Sequence, residues 1–218
     1  MAFPTVVSTN TSVQSPAGTS HTVNLPGSIV AGNLLLIFFA TADIPTITTP
    51  ANWNLLRNKQ ETTGATSQQS IFYKVATGSE GATVTITTGT SFRSAHATYQ
   101  ISGYSGNPEA SAGASGISGN PDPDSLTPSG GAKDYLWIAS GTCRSQTFSG
   151  APTSYTNLLT AATSSQVAVG TAGRELNATS TDPGNFTITA SNEWTGVTVA
   201  ISPTASATKL LTLLGAGV

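Results

Sequence analysis

The longest run of large apolar residues in the chain is NLLLIFFATA, residues 33–42. From Leu34 to Phe39 apolar positions do not alternate with polar ones, and the run sits between Gly32 and Pro45. Too short to span a membrane, it predicts a central strand covered on both faces. A second run of the same kind, DYLWIAS at 134–140, also follows a Gly-rich turn. Setting Ile37 against Ile138 gives an offset of 138 − 37 = 101, and later landmarks keep it to within one residue: Pro50 with Pro152, TIT at 85–87 with TIT at 187–189, Ile101 with Ile201. NWNLL at 52–56 answers SYTNLL at 154–159. The chain therefore reads as a two-fold internal duplication, with a period far beyond the roughly 20 to 50 residues of a solenoid repeat. On this alignment Leu35, Ile37, Leu136 and Ile138 are expected in one shared core.

Alternation and Gly/Pro punctuation place further strands at 4–13, 21–25, 53–59, 71–75, 83–88 and 95–102, then at 135–140, 155–160, 166–170, 185–190 and 197–201. Within 83–88, Val84 and Ile86 face in while the threonines face out. The low-complexity stretch 103–131 takes the place of the first two strands and is expected to hold short edge strands. No window carries helical periodicity over three turns. The predicted fold is all-β, a jelly-roll-like β-sandwich spanning 1–203 and made of duplicated halves 1–103 and 104–203. The halves form either one intertwined domain or two tandem β domains, and a C-terminal arm, 204–218, follows.

Composition changes this picture in one respect. Charged residues make up only 8% of the chain, and 8 basic against 10 acidic side chains give a formal charge of −2. About a quarter is usual for soluble domains, so a protein this poor in charge is expected to sit in an assembly. Disorder is disfavoured, because it calls for high net charge and few β-branched residues. The lone Cys143 excludes an internal disulfide and reads as a small buried hydrophobe. No basic segment or apolar stretch follows Met1, which predicts synthesis in a cytoplasm without a signal peptide. The N-x-S/T triplets at Asn10, Asn177 and Asn185 then carry no weight.

Candidate chemistry is sparse. His21 and His96 lie on strands without acidic or cysteine neighbours at ligand spacing and read as ordinary strand residues. Asp122 and Asp124, in the PDPD loop, are the only candidates for a calcium site, but the D-x-D-x-D-G pattern is missing and a stiff polar loop is the plainer reading. Single, scattered carboxylates offer no glycosidase pair, and RNK at 57–59, the densest basic patch, is too small for nucleic acid. Trp53, Trp137, Tyr155 and Trp194 could line a sugar site, yet Trp53 and Tyr155 hold equivalent places in the repeats, as packing anchors would. No catalytic, cofactor-binding or metal residue is predicted.

The runs HTVNLP (21–26), AGNLLLIFFA (31–40), a Pro followed by Trp53, FYKVATGSEGATVTI (72–86), DYLWIA (134–139) and TVAISP (198–203) together resemble a group of tailed-bacteriophage structural proteins. The likeness extends over nearly the whole chain and rests on strand and turn signatures. Where that group has an acidic residue before the leucine run, this chain has Asn33. The resemblance implies a non-enzymatic virion protein of β-sandwich type, made in the host cytoplasm. A capsid decoration or cement protein, bound to the major capsid protein or another virion protein, is the first expectation, and a tail fibre or baseplate module binding host-surface glycan is the alternative. The expected partners include further copies of the chain, but no nucleic acid, membrane or cofactor.

Beyond Pro203 the chain carries Leu210, Leu211, Leu213 and Leu214, an apolar patch too short for a membrane span or a self-standing helix. It must bury against something. A contact with a neighbouring subunit is the expectation, and docking on the protein's own sandwich the alternative.

Overall fold

In the computed structural model, which describes residues 2–164 and 166–205, each half of the sequence builds its own antiparallel sheet. The first sheet runs β1 (Thr5–Asn24), β6 (Thr83–Ser102), β2 (Leu34–Thr41), β5 (Ser67–Val75), β4 (Asn54–Glu61), with β3 (Ile47–Thr48) added on β6. The second runs β11 (Thr156–Ala162), β12 (Val167–Ala178), β9 (Lys133–Arg144), β14 (Asn192–Ile201), β7 (Glu109–Ala110), with β8 (Ala114–Ser118) also on β14. The strands β10 (Phe148–Gly150) and β13 (Thr187–Ile188) pair as a small separate ribbon. The protein is a β-sandwich built from two halves of about a hundred residues each.

Equivalent strands take equivalent places. β2 and β9 are central, β5 and β12 flank them on one side, β6 and β14 on the other. The low-complexity stretch supplies β7 and β8, which stand on β14 where β1 stands on β6.

One apolar cluster lies between the sheets and draws on both halves: Leu34, Leu36, Phe38 and Ile71 from the first, Leu136, Ile138, Val169 and Val199 from the second. Leu35 and Ile37 are not in it. They lie on the outer face of the first sheet with Val23, Trp53, Phe72 and Ile86. The ladder registers give the reason: Leu34 pairs with Ile101 and Leu136 pairs with Ile201, so within this strand the true offset is 102. An alignment slipped by one residue turns every side chain to the other face.

Each sheet is covered on its outer face as well, which is why both central strands lack alternation. Over the first sheet the cover is its own longest two-stranded ribbon, β1 paired with β6. Strands expected at 4–13 and 21–25 are one strand, β1, and those at 83–88 and 95–102 are one strand, β6. The ladder is regular from Gln14 and Ser94 out to Ser8 and Gln100 and again from Ser20 and Thr87, with a bulge between Val6 and Ser8 and a longer break between Gln14 and Ser20. There the ribbon doubles over, so that Asn24 N–H donates to Ser12 Oγ (3.0 Å) and Thr98 Oγ1 donates to the Asn24 carbonyl (2.9 Å). Over the second sheet Phe148, Phe186 and Ile188 do the covering. Tyr99 joins the sheets through a 2.6 Å hydrogen bond between its hydroxyl and Thr171 Oγ1; burial pushes its phenol up to about 12.

Candidate functional site

The two histidines, far apart in sequence, meet in the fold-over. His21 comes from the doubled-back part of β1 and His96 from β6, and both are fully buried beside Phe39. Their rings are bridged by Ser94 Oγ, 2.7 Å from His21 Nδ1 and 2.7 Å from His96 Nε2. Beyond them, Ser12 Oγ lies 2.8 Å from His96 Nδ1 and Thr88 Oγ1 lies 2.9 Å from His21 Nε2.

The direction of the chain follows from its end. Thr88 donates its single hydroxyl proton to the Thr90 carbonyl at 2.7 Å, so it accepts from His21 Nε2–H. His21 Nδ1 then accepts from Ser94, Ser94 accepts from His96 Nε2–H, and His96 Nδ1 accepts from Ser12. Every member is satisfied with both rings neutral. Burial pushes His96 down to about 3, helped by repulsion from His21, and burial lowers His21 as well. The arrangement clamps the doubled ribbon to its sheet. Both imidazoles of its hydroxyl–imidazole pairs are fully buried, and among the described residues no carboxylate is bonded to either ring. Sequence reading missed the convergence because the fold-over that makes it is a long-range event.

Asp122 and Asp124 stay in their loop, where Asp182 joins them. Burial and repulsion from Asp182 and Asp124 raise Asp122, and the Asn185 side-chain amide donates to its two oxygens at 3.1 and 3.3 Å. Among the described residues no group of three or more His, Cys, Asp or Glu side chains is arranged to hold a metal ion. Burial pushes the Cys143 thiol up to about 12, which makes it a packing residue. Trp137, Trp194 and Tyr155 are buried in the outer cluster of the second sheet and Trp53 in that of the first. Trp53 N–H donates to the Pro50 carbonyl (3.1 Å) and Tyr155 N–H to the Pro152 carbonyl (3.0 Å), so the two anchors are built alike. Leu210, Leu211, Leu213 and Leu214 lie outside the described residues.

A cleft of about 730 Å³ lies at one side of the sandwich. It lies between the first half of β1 and the edge strand β11, with Tyr99 and Leu136 at its floor and Arg174 and Glu175 on its wall. Val6 and Val7, 37% and 48% exposed, face it. The lining is mixed: Val6, Val7, Leu158 and Leu159 stand among hydroxyl side chains, Asn157, Arg174 and Glu175. No family model, no curated protein and no solved structure matches the chain.

Proposed function

We propose that this chain is a non-enzymatic structural protein of a tailed-bacteriophage virion, a capsid decoration or cement protein that binds the shell and stabilises it. The supporting observation is where its few charges go. Lys74 pairs with Glu80 (3.0 Å), and Glu80 also receives N–H bonds from Thr77 and Gly78. Arg144 donates to the carbonyls of Ala42 and Thr66, Arg57 to that of Ala110, and Arg93 to that of Ser164. Glu193 accepts from Ala65 N–H. These side chains hold the protein's own loops, and the surface they leave is rich in Ser, Thr and Asn. Such a surface suits a close, permanent contact with another protein better than steering of a charged ligand. The resemblance in the strand and turn runs points the same way.

Quantitative mass spectrometry of purified particles tests this reading. A copy number that scales with the capsid lattice is expected. A few copies per particle, together with binding of the purified protein on a glycan array, would replace it with the tail-module reading.

A further inference from the structure

The two seams of the sandwich, where the edge strand of one sheet faces the other sheet, are related by the duplication but closed in different ways. At the first seam β4 faces β7 and β8. Arg57 donates to the Ala110 carbonyl of β7 (3.2 Å), the Lys59 stem lies against Gly113, and Glu61 takes a hydrogen bond from Ser115 of β8. Three charged side chains thus reach across and shut that side. At the second seam β11 faces β1. The offset of 102 that relates Trp53 to Tyr155 puts Leu159, Ala161 and Thr163 where Arg57, Lys59 and Glu61 stand, and the ladders agree, with Arg57 opposite Ile71 and Leu159 opposite Thr171. None of the three carries a charge, and the side remains open as the cleft.

β1 adds a second anomaly. It is an edge strand, bonded only to β6, and edge strands are normally guarded by charges or proline. Its first half, TVVSTNTSVQ, has neither, and the first Asp, Glu, Lys or Arg of the whole chain is Asp43. An edge of that kind, with Val6 and Val7 exposed beside a cleft, is built to be covered.

We infer that the cover is this chain's own leucine segment, residues 210–214, laid along the first half of β1 in the β1–β11 cleft. The exit point supports it. Thr204 N–H donates to the Gly103 carbonyl (2.9 Å), and Gly103 itself lies against Phe3 and Pro4, the residues that lead into β1. Thr5, at the near end of the cleft, pairs with Ser102, so the chain leaves the sandwich beside the site. The five residues 205–209 reach roughly 17 Å when extended, more than enough to bring Leu210 over Val6 and Val7. The sequence offers matching groups: the leucines can meet Val6, Val7, Leu158 and Leu159 within a mixed lining, and Lys209 precedes them on a wall where Glu175 stands exposed beside Arg174. Backbone pairing to β1 would hold the segment while alternate leucines enter the cleft.

The test uses the full chain carrying Val7→Cys and Leu211→Cys, with Cys143 left in place because its buried thiol is inert. Isotope-labelled and unlabelled chains are mixed, oxidised mildly and analysed by mass spectrometry. A disulfide within one chain is expected, forming at least about ten-fold faster than in the Val30→Cys/Leu211→Cys control, whose first thiol is exposed away from the cleft. Equal rates, or a disulfide found solely between labelled and unlabelled chains, overturn the inference. A second measurement leaves the segment's backbone intact: Leu211→Asp with Leu213→Asp should raise the alkylation rate of the Val7→Cys thiol about ten-fold, since carboxylates are not held against Val6, Leu158 and Leu159. An unchanged rate overturns it as well.

Discussion

His21 and His96 share one hydroxyl, that of Ser94, which accepts from one ring and donates to the other. A proton added to His21 Nδ1 would give Ser94 two facing N–H donors and leave its own proton without a place in the chain. Both rings are therefore held neutral while in the unfolded chain they titrate near 6.5. A folded-state value depressed this way takes stability away as pH falls, because the unfolded state binds the proton first. For His96 the loss runs from about 6.5 down to about 3, at roughly 1.4 kcal/mol per pH unit. The melting temperature should fall steeply between pH 6 and 4, and His96→Gln should flatten that dependence while lowering stability at pH 7. Calorimetry across this range checks both; a flat wild-type profile would show that the rings are reached by water.

Phe148 occupies a slot made by glycine. Gly170 and Gly141 are paired across β12 and β9, and the ring of Phe148 lies directly on them. A Cβ at Gly170 would collide with that ring, whose ortho carbons are 2.7 Å from the position it would take. The first sheet fills the equivalent place from within: Phe39 pairs with Ser70 and His96 there. Gly170→Ala should cost about 2 to 3 kcal/mol by overpacking, and Phe148→Ala about 3 to 5 kcal/mol by cavity formation. In the double variant the alanine methyl would enter the space vacated by the ring, so the two costs should fall well short of adding. Urea unfolding of the four proteins measures the coupling.

Leu36 lies in the cluster that joins the sheets and is fully buried. Leu36→Asp places an unpaired carboxylate there and should cost more than about 4 kcal/mol, enough to prevent soluble folding. Circular dichroism of the expressed variant decides it, and an unchanged melting curve would remove β2 from the centre of the fold.

How much of this was legible in the sequence depended on range. Buried central strands, Pro-turn anchors and the duplication are local patterns, and residues such as Leu34 to Phe39 and the Trp53/Tyr155 pair declare them directly. Register across the duplication is not local. A single residue of slack between 37 and 138 moved Leu35 and Ile37 to the wrong face, because the connecting turns differ in length between the halves. Strand ends were also lost where charge interrupts apolar spacing: Arg174 and Glu175 hid the far end of β12, which continues to Ala178. The histidine clamp and the seam contrast could be seen only after the β1–β6 ribbon had been folded over and the two edges compared. Residues far apart in sequence, such as Arg57 and Ala110, carry no mutual signal without that geometry.

The acidic loop permits a simple chemical test. Asp182 and Asp124 both repel Asp122, and the Asn185 amide already serves it. The melting temperature in a chelator should equal that in millimolar calcium, and a gain of many degrees in calcium would identify a true ion site.

Removal of residues 206–218 uncovers the edge of β1 if the leucine segment lies on it. The described strands of the sandwich end at Ile201, and among the described residues the last backbone bond to the body is made by Thr204, so a protein ended after Ala205 keeps both sheets and their shared cluster. It should remain folded but lose the apolar contribution of the leucines, each worth about 1.5 to 3 kcal/mol when fully buried, less the ordering of the segment. Its exposed edge, uncharged over ten residues (Thr5 to Gln14), should then pair with other copies and raise the mass measured by light scattering as concentration increases. Val7→Lys in the same shortened chain puts a charge on that edge and should restore the original mass. If the shortened chain keeps the mass and melting temperature of the full one, the edge of β1 is covered by something other than residues 206–218.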